Sequence, residues 1–197
     1  VAKTTRRRGE ALEQAILEAV TAELAEHGYA GLTFEGVAAR AETSKPVLYR
    51  RWPTKAEMVA AATVRANATT IVSPDTGSLA GDLLALLEQV RTVVDASDRS
   101  VLLTLMAELP PSAAESLREL LVARGTQLVQ PIVDRARQRG ELGDAPLPSR
   151  LLALPIDLVR HEILVTGTPS DAALRSIVDV ILMPLLRAAA GHGRRPG

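Results

Sequence analysis

The chain contains no cysteine, so disulfide frameworks and thiolate metal sites are excluded. Aromatic residues are almost as scarce: Tyr29, Phe34, Tyr49 and Trp52 are the full set, and none follows residue 52. Lysine stops at a similar point, with Lys3, Lys45 and Lys55 its only occurrences. No apolar run approaches the length of about 20 residues that a membrane span needs. The basic N-terminal segment runs straight into "GEALEQ" without the apolar stretch of a signal peptide, so a cytoplasmic protein is expected. No segment alternates polar and apolar residues as a half-buried strand does. Net charge is absent too, since 23 basic residues balance 23 acidic ones.

What is present is a chain of 197 residues, 47% apolar and 23% charged, which suits one large or two small globular domains. The balanced charge is unevenly distributed. Residues 1–8 hold Lys3, Arg6, Arg7 and Arg8 with no acid. Residues 9–39 hold six glutamates and no lysine or arginine. Residues 40–55 then hold Arg40, Lys45, Arg50, Arg51 and Lys55 against Glu42 alone. A polyanion responds to the local field, so two basic clusters can bind one despite a neutral total. The loss of lysine and aromatics beyond this point marks a boundary near Pro53, dividing the chain into domains at 1–53 and 54–197.

Helical periodicity pervades the chain. Leu12, Ala15, Ile16, Ala19, Val20 and Leu24 form a stripe that Gly28 closes. Thr33 can cap a short helix carrying Val37, Ala38 and Ala41. "TKAE" (Thr54, Glu57) and "SAAE" (Ser112, Glu115) have the form of capping boxes. In "TPSD", Thr168 is the expected cap, with Pro169 at the first helical position and Asp171 near the positive end of the dipole. Breaks at 73–78, 110–112, 140–149 and 166–170 separate helices near 54–71, 78–96, 98–109, 112–139, 149–165 and 170–189. The fold expected is all-α, with about nine helices.

The stretch "TSKPVLYRRWPTK" (43–55) sets a proline among residues spaced for a helix. If Thr43 or Ser44 is the cap, Pro46 falls in the first turn, where backbone N–H groups lack intrahelical partners anyway. Thr33 to Trp52 then reads as helix, three-residue turn, helix, a helix-turn-helix whose second helix enters the major groove. Leu48 and Trp52 anchor that helix to its domain, while Val47 serves either as anchor or as a groove contact.

"LTFEGVAARAETSKPVLYRRWPTKAEMV" (32–59) closely resembles the DNA-binding segment of the tetracycline-repressor family of bacterial transcriptional regulators. The resemblance covers the first 60 residues; beyond them it extends only to helical layout and length. It implies that Thr33 clamps a phosphate, that Thr43, Ser44 and Lys45 reach base edges and phosphates, and that the Tyr49 hydroxyl binds a phosphate. Lys55 and Arg50 are further backbone contacts, and the arm at 3–8 follows the backbone or enters the minor groove. The family pattern usually has glycine where Glu42 stands in the turn; a positive φ there would strain glutamate by about 1 kcal/mol. Gly36 within the second helix costs a similar amount, about 1 kcal/mol relative to alanine.

The resemblance also implies an effector pocket in the second domain, with ligand binding moving the fourth helix. No aromatic lies there, so an aliphatic or compact ligand is expected, with Met106, Arg160 and His161 as candidate contacts. The last helix carries an apolar stripe too wide for one buried face, and the helix before it is leucine-rich. Leu154, Leu158, Ile177, Ile181 and Leu185 are therefore candidates for a two-fold four-helix interface between two copies. His161-Glu162 begins like a zinc-protease motif, but Val165 stands where the second histidine must be. No catalytic triad can be assembled and no cofactor is implied, so an enzyme is not expected. The expectation is a ligand-responsive homodimeric repressor on a pseudo-palindromic operator. The alternative is a helical small-molecule or partner sensor that does not bind DNA.

Overall fold

The computed structural model describes residues 2–93 and 96–191, the side chains of 2–8, 67–69, 96–98, 100, 102 and 106 excepted. The described residues are all-α, without a strand. The helices are α1 (Ala2–Gly31), α2 (Phe34–Arg40), α3 (Lys45–Arg51), α4 (Lys55–Thr70), α5 (Leu79–Val93), α6 (Ala96–Glu108), α7 (Pro111–Gln138) and α8 (Ser149–Thr166). The last helix, α9, covers 171–190 in three parts: Asp171–Ser176 and Met183–Ala190 are α-helical, and Ile177–Leu182 between them is π-helical.

The chain divides into two compact units, one of residues 1–69 and 104–114, the other of 70–103 and 115–197. The first therefore takes in most of α4 and is larger than the segment that composition marks at Pro53. Its interior is built from Ile16, Val20, Leu32, Val37, Leu48, Met58 and Val59, all essentially without solvent contact. Gly28 interrupts α1 with φ 66° and ψ 176°, where the stripe predicts its end. In α2 the Thr33 hydroxyl accepts from the Gly36 N–H at 3.1 Å, so the predicted cap is formed. Gly36 has a use that the sequence does not reveal. A Cβ there would lie 2.5 Å from Oε2 of the buried Glu23, whose carboxylate accepts from Arg40 Nε at 2.8 Å and ties α1 to α2.

The second unit has a single aliphatic core drawn from α5, α7, α8 and α9, including Leu83, Leu86, Leu87, Ile132, Ile163, Leu174 and Leu182. α7 and α8 approach closely at Gly125, where a Cβ would stand 2.7 Å from the Ala153 Cα. Pro184 has no N–H for the Val180 carbonyl and its ring crowds that turn. The helix widens just before it, with the Met183 N–H bonded to the Val178 carbonyl five residues back.

Caps follow the sequence in part. Thr54 and Glu57 form the reciprocal box, with Thr54 N–H to Glu57 at 2.8 Å and Glu57 N–H to the Thr54 hydroxyl at 3.2 Å. α7 begins at Pro111, one residue before Ser112, and Glu115 pairs with Arg118. α9 is capped by Ser170, whose hydroxyl accepts from the Ala173 N–H at 3.2 Å, two residues after the expected Thr168.

Candidate nucleic-acid interface

The face of interest is made by α2 and α3. Ala38 O accepts the Thr43 N–H at 2.9 Å, and the turn between the helices holds Glu42 at φ 50°, the left-handed region. Ser44 is the residue that caps α3, by position and without a side-chain bond, and Pro46 lies in the first turn. Leu48 points inward with no exposure, and Val47 is half-buried. Lys45, Tyr49 and Arg50 are exposed around the rest of the helix. One face of α3 is thus fixed by burial and the other left for contact.

Tyr49 is held by its ring. It stacks on Phe34 with centroids 4.2 Å apart and planes 19° from parallel, yet remains 49% exposed. The stack sets the phenol of α3 against the first residue of α2 and leaves its hydroxyl available. Thr33 and Ser44 are exposed near the starts of these two helices, whereas Thr43 is half-buried.

The cations differ in how they are held. Lys45 is paired with Glu35, and the pair shifts both groups: the salt bridge lowers the Glu35 carboxyl and raises the Lys45 ammonium from their ordinary values. Arg51 donates to Glu13 at 2.6 Å, binding α3 to α1. Arg40 bridges Glu23 and Glu26. Lys55 donates to the Tyr29 carbonyl at 2.9 Å and lies 4.6 Å from the centroid of that ring. Arg50 makes no side-chain hydrogen bond or ion pair with the described residues.

Tyr29, Phe34, Glu35 and Glu108 take parts that sequence patterns did not assign. The Tyr29 hydroxyl donates to Glu108 Oε2 at 2.5 Å. Burial, and then the hydrogen bond to Glu108, push its phenol well above the usual tyrosine range. A tyrosine beside the helix break at Gly28 is the available signal, but its partner lies 79 residues away. The arm at 3–8 falls within α1, and its side chains lie outside the described ones.

The candidates in the larger unit are spread apart in character. Arg160 donates to Asp157 at 2.8 Å and His161 is exposed, while the Met106 side chain lies outside the described ones. Ile177 is buried in the core of its own unit, and Leu154 and Leu158 pack partly against that core. Ile181 and Leu185 are 41% and 40% exposed, with Val180 beside them at 69%. Glu23, Glu26 and His27 come within metal-binding range of one another, but both carboxylates are already engaged by Arg40. No described helix is long and apolar enough to cross a membrane.

Comparison with known proteins agrees with this geometry. Residues 16–62 match the model described as bacterial regulatory proteins, tetR family, and residues 73–181 match the tetracyclin repressor-like C-terminal domain. An uncharacterised HTH-type transcriptional regulator of Mycobacterium tuberculosis is 34% identical over 171 residues, covering 85% of this chain and 84% of the relative. A DNA-binding transcriptional repressor, TetR, of Mycobacteroides abscessus is 29% identical over 93% of this chain and 98% of its own length. Among solved structures, the TetR family transcription regulator SCO0332 aligns with a TM-score of 0.72 at 29% identity, over 87% of this chain and 96% of that one.

Proposed function

The chain belongs to the tetracycline-repressor family of bacterial transcriptional regulators, and from that premise we propose a ligand-controlled homodimeric repressor reading a pseudo-palindromic operator through α3. The observation that carries the reading is the two-sidedness of α3: Leu48 is sealed inside while Lys45, Tyr49 and Arg50 stand outside. A helix so anchored can enter a groove without losing its packing. Tyr49 and Arg50 supply a hydroxyl and a fork of donors for phosphates, with Thr33, Ser44 and Lys55 as further backbone contacts. Lys45, Val47 and Thr43 lie at the leading end, where side chains reach base edges.

Two copies would place one α3 in each half-site, with centres about 34–36 Å apart for a simple dimer. The exposed Val180, Ile181 and Leu185 support pairing through α9, with Leu154 and Leu158 of α8 alongside. Duplex DNA as partner sets the place of action in the cytoplasm. Ligand control in this reading acts on α4, whose first turn is held by the Lys55–Tyr29 and Tyr29–Glu108 bonds. An effector need favour the state unfit for DNA by only about 1–3 kcal/mol. The lack of aromatics beyond residue 52 favours an aliphatic or compact ligand over a flat polyaromatic one. Met106, Arg160 and His161 are the residues whose replacement would probe its site.

Selection of genomic fragments by the purified protein tests the reading. A recurrent inverted repeat should emerge, its binding should weaken steeply with salt, and Arg50→Glu should abolish retardation of it. Retention of the fragments by the Arg50→Glu protein at unchanged affinity would defeat the proposal.

A further inference from the structure

Of the acids in the ion pairs described for the helix-turn-helix, Glu35 is the most exposed, at 66% of its side chain against 8%, 47% and 56% for Glu23, Glu13 and Glu26. It also differs in what it joins. Glu13, Glu23 and Glu26 bind α3 or α2 back to α1, whereas Glu35 binds Lys45 across the α2–α3 edge itself. That edge is the one facing DNA in the reading above, on which this inference rests. Lys45 and Tyr49 are one helical turn apart on α3, and Tyr49 stacks on Phe34, the neighbour of Glu35. An exposed pair between long side chains adds little to folding stability, so its worth is not structural.

We propose that Glu35 is a specificity-determining residue, a carboxylate that opposes sequence-independent binding and is accommodated only where a base-edge amino group faces it. On an arbitrary duplex it acts twice. Its charge repels the nearby phosphates, and it occupies the ammonium of Lys45 that would otherwise neutralise one of them. At a matched site the carboxylate can accept from the N4 amino group of cytosine in the major groove, and Lys45 is free to donate to an adjacent base. Discrimination thus comes from a repulsive element that the correct sequence relieves.

Glu35→Gln tests this, with Glu115→Gln as the matched control. Glu115 is likewise exposed and paired with an arginine, Arg118, but belongs to the other unit, so both variants change net charge equally. Binding of wild type and both variants to a selected operator and to a random duplex would be titrated over a range of salt. Glu35→Gln should tighten random-duplex binding severalfold and lower the operator-to-random ratio. It should also steepen the salt dependence by about 0.9 per half-site, one added phosphate contact. Glu115→Gln should change neither affinity nor slope. An unchanged or higher operator-to-random ratio in Glu35→Gln, or equal effects in the two variants, would overturn the role of Glu35 while leaving the regulator reading intact. Failure of the wild type to retain any duplex would overturn both.

Discussion

At Glu42 the backbone adopts φ 50°, a region in which an L side chain crowds the following carbonyl. Neither a cap nor an ion pair offsets that cost, since Glu42 is exposed and makes no side-chain bond among the described residues. Glu42→Gly should therefore stabilise the protein by about 0.5 kcal/mol, the left-handed penalty of about 1 kcal/mol less roughly 0.5 kcal/mol for the entropy that glycine loses on folding. Urea unfolding would report this as a higher midpoint at unchanged slope; a lower midpoint would show the turn unstrained. The family pattern with glycine in the turn marks the position, but only the observed φ decides that glutamate is strained there. Gly36 was legible only as a cost. Its reason lies in Glu23, thirteen residues earlier on another helix, and no local pattern can reveal a carboxylate that arrives by tertiary packing.

Elements were read more easily than their ends. Apolar spacing, caps and breaks together located the helices of the described residues, including α7 and α8 across their internal Pro131 and Pro155, because a buried stripe of leucine and isoleucine outweighs one missing bond. Starts were less secure. Thr168, Pro169 and Ser170 offer competing caps within three residues, and the choice of Ser170 depends on where Leu174 must point to reach the core. The π-helical segment of α9 was not anticipated, although Pro184 is its cause. α7 and α8 approach closely at Gly125. Placing a side chain at Gly125 would drive it into the Ala153 backbone, 2.7 Å from where its Cβ would be, so the two helices must part. Gly125→Val should cost about 2 kcal/mol, the usual penalty of overpacking a dense interior, which the few tenths of a kcal/mol that valine gains over glycine in helix propensity do not offset. Thermal unfolding followed by circular dichroism measures this, and an unaltered midpoint would mean that α7 and α8 can separate freely.

For the molecule as a whole, net charge was uninformative and charge distribution informative, since the basic clusters and all aromatics sit where the DNA-facing unit forms. The width of the last stripe pointed to two buried faces, and one of them, with Ile177, Leu182 and Leu186, is filled by the chain's own core. The other is Val180, Ile181 and Leu185, exposed and apolar on one stretch of α9. Replacing Ile181 and Leu185 with glutamate puts two like charges into that face in each copy, so four meet across a two-fold axis. The buried side of α9 is untouched, so the fold should persist, with circular dichroism unchanged. Sedimentation should show monomers where the wild type sediments as dimers. Operator binding should then fall by at least about 100-fold, because two half-sites are no longer held at one effective concentration. Each α3 would still meet phosphates, so weak random-duplex binding should survive. A variant that remained dimeric would move the interface off α9, and one that became monomeric yet held its operator as tightly would remove the need for a paired reader.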